Sequence, residues 1–312
     1  MEFFKSKGYW LKGALHVHSN FSDGSWHIDE LIKIYKDHGY DFLVVTDHRK
    51  VNKLYNKVDD FVIIEGTEID VPGMLHIVLV GAKKDFDANV VKTPEEAIEF
   101  AKANSEFFFF AHPYWSDKRT DFQHTGSFHT LEVFNAVAEM DVGRGYSEYF
   151  WDAALTDGHK MNAVAVDDSH QRNMDYCLGW VNVKVKEKTQ KDIIEALQKG
   201  HYYSSIGPEI IDISVTQKPV LDKIENAIYN SFHAVAPKDG CTGSIQVKTS
   251  PCKQIRFICE TDCGSVFRAK DKNGIQLAEL QLRGEERYVR IECIDFDGNK
   301  AWSNPLYFEN KR

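Results

Sequence analysis

The stretch LKGALHVHSNFSD, residues 11–23, joins an apolar segment to two histidines spaced as H-x-H. Alternate side chains of a β-strand point to the same face, so His16 and His18 are predicted to project together from the end of one strand. Asp23 follows after a short loop and could fold back towards them. Two imidazoles and a carboxylate that converge at a strand end are typical of a metal site, although an isolated H-x-H triplet also occurs by chance.

The same arrangement recurs along the chain. Apolar segments that are predicted as strands are followed by side chains that suit metal binding or catalysis, namely Asp47 and His48, Glu65 and Glu68, His112, and Asp167, Asp168 and His170. His76 differs because it lies inside the hydrophobic segment VPGMLHIVLVG, where a histidine is ordinarily a core residue. In α/β barrels the chemistry gathers at the C-terminal ends of the strands, where most of these residues are predicted to lie.

Helical patterns alternate with the predicted strands. In SWHIDELIKIYKDHG, apolar positions recur at helical spacing, with Ser25 as the predicted N-cap and with His27 and His38 as surface or capping residues at its ends. Thr93 and Glu96 form a capping-box signature at the start of a second helix. Strands that alternate with helices imply parallel βα units, and about seven or eight such units favour a barrel over a small open sheet.

From about residue 207 the pattern changes to short alternating segments, such as SIQVKT, QIRFICE and RYVRIECID, which are separated by turn signals. The chain is therefore predicted to divide into an α/β barrel of residues 1–206 and a small all-β sandwich of residues 207–312. The second part contains no cluster of chemically useful residues, so we expect it to support or cover the first.

Composition limits the partners of the protein. A net charge of −9 over 312 residues offers no basic surface for nucleic-acid backbones, so a long nucleic acid is not expected to bind. No apolar run approaches the length of a membrane-spanning helix, and no secretory signal is visible. The six cysteines are then expected to be reduced thiols. We expect a cytoplasmic protein with a small-molecule substrate, no membrane contact and no obligate protein partner.

The candidate ligands form a set of six histidines and three carboxylates: His16, His18, Asp23, His48, Glu68, His76, His112, Asp168 and His170. Imidazole with carboxylate and no thiolate suits divalent zinc, manganese or iron better than calcium or magnesium. One such ion takes roughly four to six ligands. The set therefore predicts two or three ions, at least two of which share a bridging carboxylate.

Five motifs, taken together and in this order, resemble those of the polymerase-and-histidinol-phosphatase (PHP) family: H-V-H at 16–18, T-D-H at 46–48, E-G-T-E at 65–68, A-H-P at 111–113 and D-S-H at 168–170. The resemblance covers about residues 11–206. It implies a distorted (β/α)7 TIM-like barrel that holds a trinuclear metal site. The segment at 288–306 is similar to the β-domain of the CehA/McbA-like branch of metallohydrolases.

The resemblance also implies how the ligands are shared among the three ions. It assigns His16, His18, Glu68 and Asp168 to the first ion. The second ion is assigned to His76, His112 and Glu68, which would bridge it to the first, and the third ion is assigned to Asp23, His48 and His170. Glu65 and Asp47 are predicted to orient ligands rather than to bind. Asp168 is preferred to Asp167 because the spacing D-x-H puts it on the same strand face as His170.

These inferences predict a metal-dependent phosphoesterase for small phosphomonoesters or nucleotides. A metal-bridging hydroxide, held among His16, His18, Glu68 and Asp168, would attack phosphorus. Alternatives are a carboxylester or carbamate hydrolase that uses the same metal site, and a nuclease for small fragments. A degenerate barrel kept as a scaffold is disfavoured because all nine ligand positions carry competent donors.

Other residues are candidates for substrate contact. Arg49 and Arg172 follow predicted strand ends and could grip a phosphate, as could Arg119 and Arg144. Each of these arginines could equally be an ordinary surface residue. Tyr114 and Trp115 follow His112 and could form the floor of an apolar substrate pocket, or could simply pack against their neighbours.

Overall fold

The computed structural model describes residues 1–53, 57–70, 75–116, 124–216, 227–230, 243–260 and 263–308. The chain divides into two compact units, one of residues Gly8–Ser204 and one that combines Met1–Lys7 with Ser205–Arg312. This division lies beside the sequence-based boundary between residues 206 and 207. The N-terminal residues group with the second unit, where the amino group of Met1 donates to the carbonyl of Ile213 at 3.2 Å.

The first unit is a mixed α/β structure. Its strands are β1 (Tyr9–Ala14), β2 (Phe42–Val45), β3 (Lys57–Val58), β4 (Phe61–Ile69), β5 (Ile77–Val80), β6 (Phe107–Phe110), β7 (Thr130–Asn135), β8 (Asn162–Val166), β9 (Trp180–Val185) and β10 (Tyr202–Ser205). Its helices are α1 (Ile28–Asp37), α2 (Pro94–Asn104), α3 (Pro113–Ser116), α4 (Ala136–Val142), α5 (Glu148–Thr156) and α6 (Gln190–Gln198). The central strands are almost wholly apolar and buried, and helices such as α1 cover them with an apolar stripe.

The main sheet of this unit follows the order β9–β1–β2–β4–β5–β6–β7–β8. Strands β1, β2 and β4 are parallel to one another, as are β6, β7 and β8. The backbones of Val17 and Ser169, which follow β1 and β8, form an isolated parallel bridge. The segments that follow β1 and β8 therefore meet where the predicted ligands begin, while the seven-stranded barrel remains a prediction.

The expectation of uniformly parallel strands was wrong for β5 and β9. Strand β5 is antiparallel to β4 and to β6, and β9 is antiparallel to β1. Only residues 70–76 separate β4 from β5, whereas a parallel connection needs a crossover of about a dozen residues or more. The chain therefore reverses at this point, and His76 immediately precedes β5 instead of lying inside a strand.

Local capping positions the helices. Helix α2 begins with the predicted capping box, in which Thr93 and Glu96 satisfy each other's backbone amides. Helix α1 is capped by His27 instead of Ser25, because the Ser25 hydroxyl donates to the carbonyl of His170 at 3.1 Å. Ser25 thus contributes to the segment that follows β8, which carries two of the predicted ligands.

A buried carboxylate joins α1 to the end of β8. Asp167 accepts a hydrogen bond of 2.6 Å from the hydroxyl of Tyr35 and further bonds from the backbone amides of residues 177–179. Burial raises the pKa of Asp167 to about 6, although these donors favour the ionised form. The contacts hold Asp167 away from the ligand cluster and fix the backbone from which Asp168 projects.

In the second unit the described residues form a short 3-10 helix at Glu2–Lys5 and strands β11 (Ile210–Thr216), β12 (Ala227–Asn230), β13 (Ser244–Cys252), β14 (Gln254–Ile258), β15 (Gly264–Ala269), β16 (Ile275–Gln281), β17 (Tyr288–Ile294), β18 (Lys300–Ser303) and β19 (Leu306–Tyr307). One sheet has the order β11–β13–β16 and another contains β12–β15–β14–β17–β18, with antiparallel pairing. The all-β sandwich stays a prediction, because residues 217–226 and 231–242 lie outside the described ranges.

Two expectations from composition can be compared with the described residues. The cysteines among them are free thiols, as expected, whereas Cys241 lies outside the described ranges. None of the helices in the described part of the chain has the length and apolar character needed to span a bilayer.

Two buried tyrosines offer a matched test of this packing. Tyr35→Phe removes the hydroxyl that donates to Asp167, so we expect a loss of about 1–3 kcal/mol in the free energy of unfolding. Tyr40→Phe removes a buried hydroxyl that has no hydrogen-bond partner among the described residues, so it should leave stability unchanged or slightly raised. Urea denaturation of both variants checks this, and equal effects would contradict the role assigned to Tyr35.

Candidate metal centre

Side chains at or beyond the ends of several strands of the first unit converge in three overlapping groups of potential metal ligands. The first group is His16, His18, Glu68 and Asp168; the second is Glu68, His76 and His112; the third is His18, Asp23, His48 and His170. Within each group the ligand atoms lie within 4.8 Å of one another. The structure therefore brings together every residue of the predicted ligand set.

The four residues of the first group are buried. The Nε2 atoms of His16 and His18 are 3.1 Å apart, and each lies 3.3 Å from Oε2 of Glu68. Each also lies 3.2 Å from Oδ1 of Asp168. Two imidazole nitrogens and two carboxylate oxygens thus face one small space, which is the donor set that a divalent transition-metal ion takes.

Glu68 connects the first group to the second. Its Oε1 atom lies 3.0 Å from Nδ1 of His76 and 3.2 Å from Nε2 of His112, whereas its Oε2 atom faces the first group. Oε2 is also 3.2 Å from Nδ1 of His48. Because the two oxygens of this buried carboxylate are directed to different sets of imidazoles, Glu68 has the arrangement of a bridging ligand.

The third group is more open. Oδ1 of Asp23 lies 3.5 Å from Nε2 of His48, 3.3 Å from Nε2 of His170 and 3.8 Å from Nδ1 of His18. The rings of His18 and His170 stack with their centroids 4.3 Å apart. His18 therefore presents one ring nitrogen to the first group and the other to Asp23, so it belongs to both groups.

The charges and hydrogen bonds of the cluster fit a cation. The buried atoms Nδ1 of His18, Nδ1 of His48 and Oδ1 of Asp168 have no hydrogen-bond partner among the described residues. Burial alone would lower the pKa of His18, but the neighbouring carboxylates of Asp168 and Glu68 raise it to about 9. Buried polar atoms without partners are costly, and a divalent ion bound by these atoms would remove that cost.

Glu132 is the residue of the site that the sequence analysis missed. It lies fully buried on β7, where it accepts hydrogen bonds of 2.7 Å from Nδ1 of His16 and 2.7 Å from the backbone amide of His112. Asn135 Nδ2 donates to Glu132 at 2.9 Å and also reaches Asp168 Oδ2 at 3.1 Å. Glu132 thereby fixes the His16 tautomer whose Nε2 lone pair faces the first group.

The Glu132–Asn135 pair also supports unusual backbone conformations. His112 has a φ of 31° and Asp168 a φ of 58°, in the left-handed region that non-glycine residues rarely adopt. Both residues are held by this pair, one through its backbone amide and the other through its carboxylate. Such conformations persist only where surrounding contacts enforce them, and they are common at functional sites.

Asp47 has a different role from the predicted one. It was expected to orient a ligating imidazole, but its carboxylate instead accepts from the backbone and hydroxyl of Ser19, the hydroxyl of Ser22 and the amide of Asn52. These bonds secure the loop that leads to Asp23. Glu65, the other expected orienting residue, belongs to none of the three groups.

Asp70, rather than Asp47, contacts an imidazole of the third group. Its Oδ2 atom lies 3.4 Å from Nδ1 of His48. The guanidinium of Arg49 donates to both carboxylate oxygens of Asp70, at 2.7 Å to Oδ1 and 2.9 Å to Oδ2. Burial would raise the pKa of Asp70, but these two partners lower it to about 2. Arg49 is therefore engaged by Asp70 and is not directed into the site.

The arginines differ in their access to the cluster. Arg172 donates to the backbone carbonyl and carboxylate of Asp23 at 2.9 and 3.2 Å, and most of its side chain remains exposed. Arg144 lies over the ring of Tyr114, 5.6 Å from the centroid. Arg119 lies outside the described residues. Among the four arginines considered for phosphate contact, Arg172 lies beside the third group, where it contacts Asp23.

A cavity of about 350 Å³ opens onto the ligand cluster. It is lined by His48, Glu68, Asp70, His76, His112, Trp115, Val137, Ala138, Met140, Asp141, Asp168, His170, Arg172, Asn173 and Asp175. Members of all three ligand groups thus reach the same space. Trp115 lines this cavity as the sequence suggested, whereas Tyr114 is not among its lining residues.

Glu132→Gln tests the role of the buried carboxylate. The substitution keeps the size of the side chain but removes the charge that holds His16 Nδ1, so we expect metal affinity at the first group to fall by about 10–100-fold. Isothermal titration calorimetry with zinc or manganese measures this affinity. Glu286→Gln is the matched control, because Glu286 is also a buried carboxylate that accepts backbone amides, in the other unit. Unchanged affinity in Glu132→Gln would contradict the role.

The chain matches no protein-family profile. Among curated proteins, the DNA polymerase/3'-5' exonuclease PolX of Bacillus subtilis (strain 168) is 28% identical over a match that covers 31% of this chain and 19% of that protein. The chain therefore spans about a fifth of the length of this relative. That extent of similarity assigns no family.

Solved structures resemble the chain more extensively. A two-domain protein from Bacteroides vulgatus, described as containing a predicted PHP-like metal-dependent phosphoesterase, has a TM-score of 0.50 at 17% identity and covers 96% of each chain. A structure from Bifidobacterium adolescentis, provisionally assigned as a metal-dependent phosphoesterase, covers 60% of this chain and 96% of its own at 14% identity, with a TM-score of 0.38. The first comparison shows that the chain has a mixed α/β fold similar to that of a PHP-like two-domain protein.

Proposed function

We propose that this protein is a metal-dependent phosphoesterase that hydrolyses small phosphate esters, either phosphomonoesters or nucleotides, at a trinuclear metal site. The observation that carries the proposal is the convergence of three ligand groups, joined through Glu68 and His18, at one cavity. The description of the Bacteroides vulgatus structure as PHP-like agrees with this reaction class.

Each ligand group would hold one divalent ion of zinc, manganese or iron. The first and second ions would share Glu68, whose two oxygens face different groups, and the His18 imidazole would bind the first ion while its other ring nitrogen faces Asp23 of the third group. Bound ions would supply Lewis-acid chemistry, activating water and neutralising charge on the phosphoryl oxygens. His16, His18, Glu68 and Asp168 enclose the site at which we place this chemistry.

The chain's own residues would hold the substrate in place. Three divalent ions would outweigh the carboxylates of Glu68, Asp168 and Asp23, so the floor of the cavity would be positive and suited to a phosphate dianion. Arg172 lines the same cavity and keeps its guanidinium largely exposed, so it could add a charged hydrogen bond to a phosphate oxygen. Glu132 would keep the imidazole of His16 in the required tautomer.

The size of the cavity favours small substrates. A volume of about 350 Å³ lies near the lower end of the range for small-molecule sites, which is about 300–1,000 Å³. The net charge of −9 opposes binding of a long nucleic acid, so a nuclease activity would be limited to short fragments.

A carboxylester or carbamate hydrolase is the second candidate. The observation that favours it is the apolar part of the cavity, where Trp115 packs against His112 of the second group and Met140 is a further lining residue. The same metal ligands would serve either reaction, so the choice depends on whether the substrate carries a phosphoryl group.

Metal analysis tests the assignment of ions to groups. We expect three transition-metal ions per chain in the wild type and two in His170→Ala, which loses a ligand of the third group alone. Glu68→Ala removes the residue shared by the first and second groups and should retain one ion at most. His38→Ala is the control, because His38 caps α1 and belongs to no group. Inductively coupled plasma mass spectrometry gives these counts, and fewer than one ion per wild-type chain would contradict the site.

A substrate panel separates the candidate reactions. We expect hydrolysis of p-nitrophenyl phosphate, slower cleavage of bis(p-nitrophenyl) phosphate and little cleavage of p-nitrophenyl acetate, with all activity lost after metal chelation. His16→Ala should abolish phosphate release while circular dichroism and the unfolding midpoint remain near those of the wild type, because the apolar core does not contain His16. Ester cleavage without phosphate release would favour the carboxylester hydrolase.

A further inference from the structure

The cavity at the metal centre has an apolar part and a polar part. Trp115, on α3, and Val137, Ala138 and Met140, on α4, line it after strands β6 and β7. The residues that line it after β8 are all polar: Asp168, His170, Arg172, Asn173 and Asp175. The apolar set thus follows the neighbouring strands β6 and β7, and the polar set follows β8, the next strand in the sheet.

The apolar part exposes large side chains inside a concave site. Trp115 is 45% exposed and Met140 is 47% exposed, although both line the cavity. Isolated apolar side chains on an outer surface need no explanation, but a tryptophan and a methionine on the wall of one cavity form a binding surface. Among the described residues between them in sequence, the cavity is lined by Val137 and Ala138.

Contacts with metal-ligand candidates hold Trp115 in place. Its indole meets the ring of His112 edge to face, with centroids 4.9 Å apart, and lies 6.0 Å from the ring of His76. These histidines are two of the three members of the second group. The apolar surface therefore begins directly beside the position at which a phosphoryl group would meet the second ion.

We propose that Trp115 and Met140 form a subsite for an uncharged aromatic ring, so that the preferred substrate is an aryl phosphate monoester. This inference rests on the proposed function, because it assigns the organic part of the ester that the metal centre would cleave. Water would add to phosphorus, the bond from phosphorus to the aryl oxygen would break, and a phenol and inorganic phosphate would leave, with one proton of the water passing to the aryl oxygen.

The chemistry of the two side chains selects this ligand. Indole and aromatic rings pack edge to face or offset, and a methionine sulfur makes favourable contacts with ring edges. A polyhydroxylated alcohol would instead lose hydrogen bonds to water against this surface. The carboxylate of Asp141, which also lines the cavity beside Met140, would repel a second phosphate and so favours a monoester with a neutral ring.

Kinetics with paired substrates test the subsite. We expect Trp115→Ala to lower kcat/KM for phenyl phosphate about tenfold more than kcat/KM for glycerol 2-phosphate, with the difference mainly in KM. Met140→Ala should act in the same direction with a smaller effect, and Trp115→Phe should restore most of the loss. Tyr149→Ala is the control, because Tyr149 is a 77% exposed aromatic residue that does not line the cavity.

Binding measurements test the subsite independently of catalysis. On the full chain loaded with metal, calorimetry should show phenylphosphonate binding more tightly than methylphosphonate, and this preference should be lost in Trp115→Ala with the metal content unchanged. Equal binding of the two phosphonates, or equal loss of both ester activities in Trp115→Ala, would overturn the subsite. Preferential phenylphosphonate binding without phosphate release from either ester would support the subsite and contradict the proposed phosphoesterase.

Discussion

One buried carboxylate organises the centre of this protein. Glu68 lies at the end of β4, where one of its oxygens faces His76 and His112 and the other faces His16, His18 and His48. Burial would raise its pKa, but the surrounding imidazoles hold that pKa well below its usual range. A charged carboxylate in such a place requires positive partners on both sides. The overlapping ligand groups, and the proposed pair of ions that share Glu68, follow from this requirement.

The fold meets the requirement by bringing strand ends to one place. The segments after β1 and β8 pair through Val17 and Ser169, which sets ligands of the first group side by side although they are distant in sequence. Glu132 and Asn135, on β7, then connect the imidazole of His16 to the strained backbone of His112 and to the carboxylate of Asp168. The ligand positions are thus enforced by buried hydrogen bonds, which is the basis for expecting a rigid, preorganised metal site.

Local pattern predicted much of the fold and site, and tertiary contacts explain the remainder. The H-x-H spacing, the apolar strands and the capping box at Thr93 are local signals. The direction of β5 depended on the length of one connection. The role of Glu132 depended on neighbours far along the chain, although a lone charge in the apolar strand TLEVFN was an available signal. Likewise, Asp70 occupies Arg49 and contacts His48, which spacing alone could not reveal.

Anomalous X-ray diffraction from crystals of the metal-loaded protein tests the central claim most directly, because it locates each ion independently of activity. The account predicts three anomalous peaks, one within bonding distance of each ligand group, with Glu68 between the first two. A single peak, or peaks that lie away from Glu68, would contradict it.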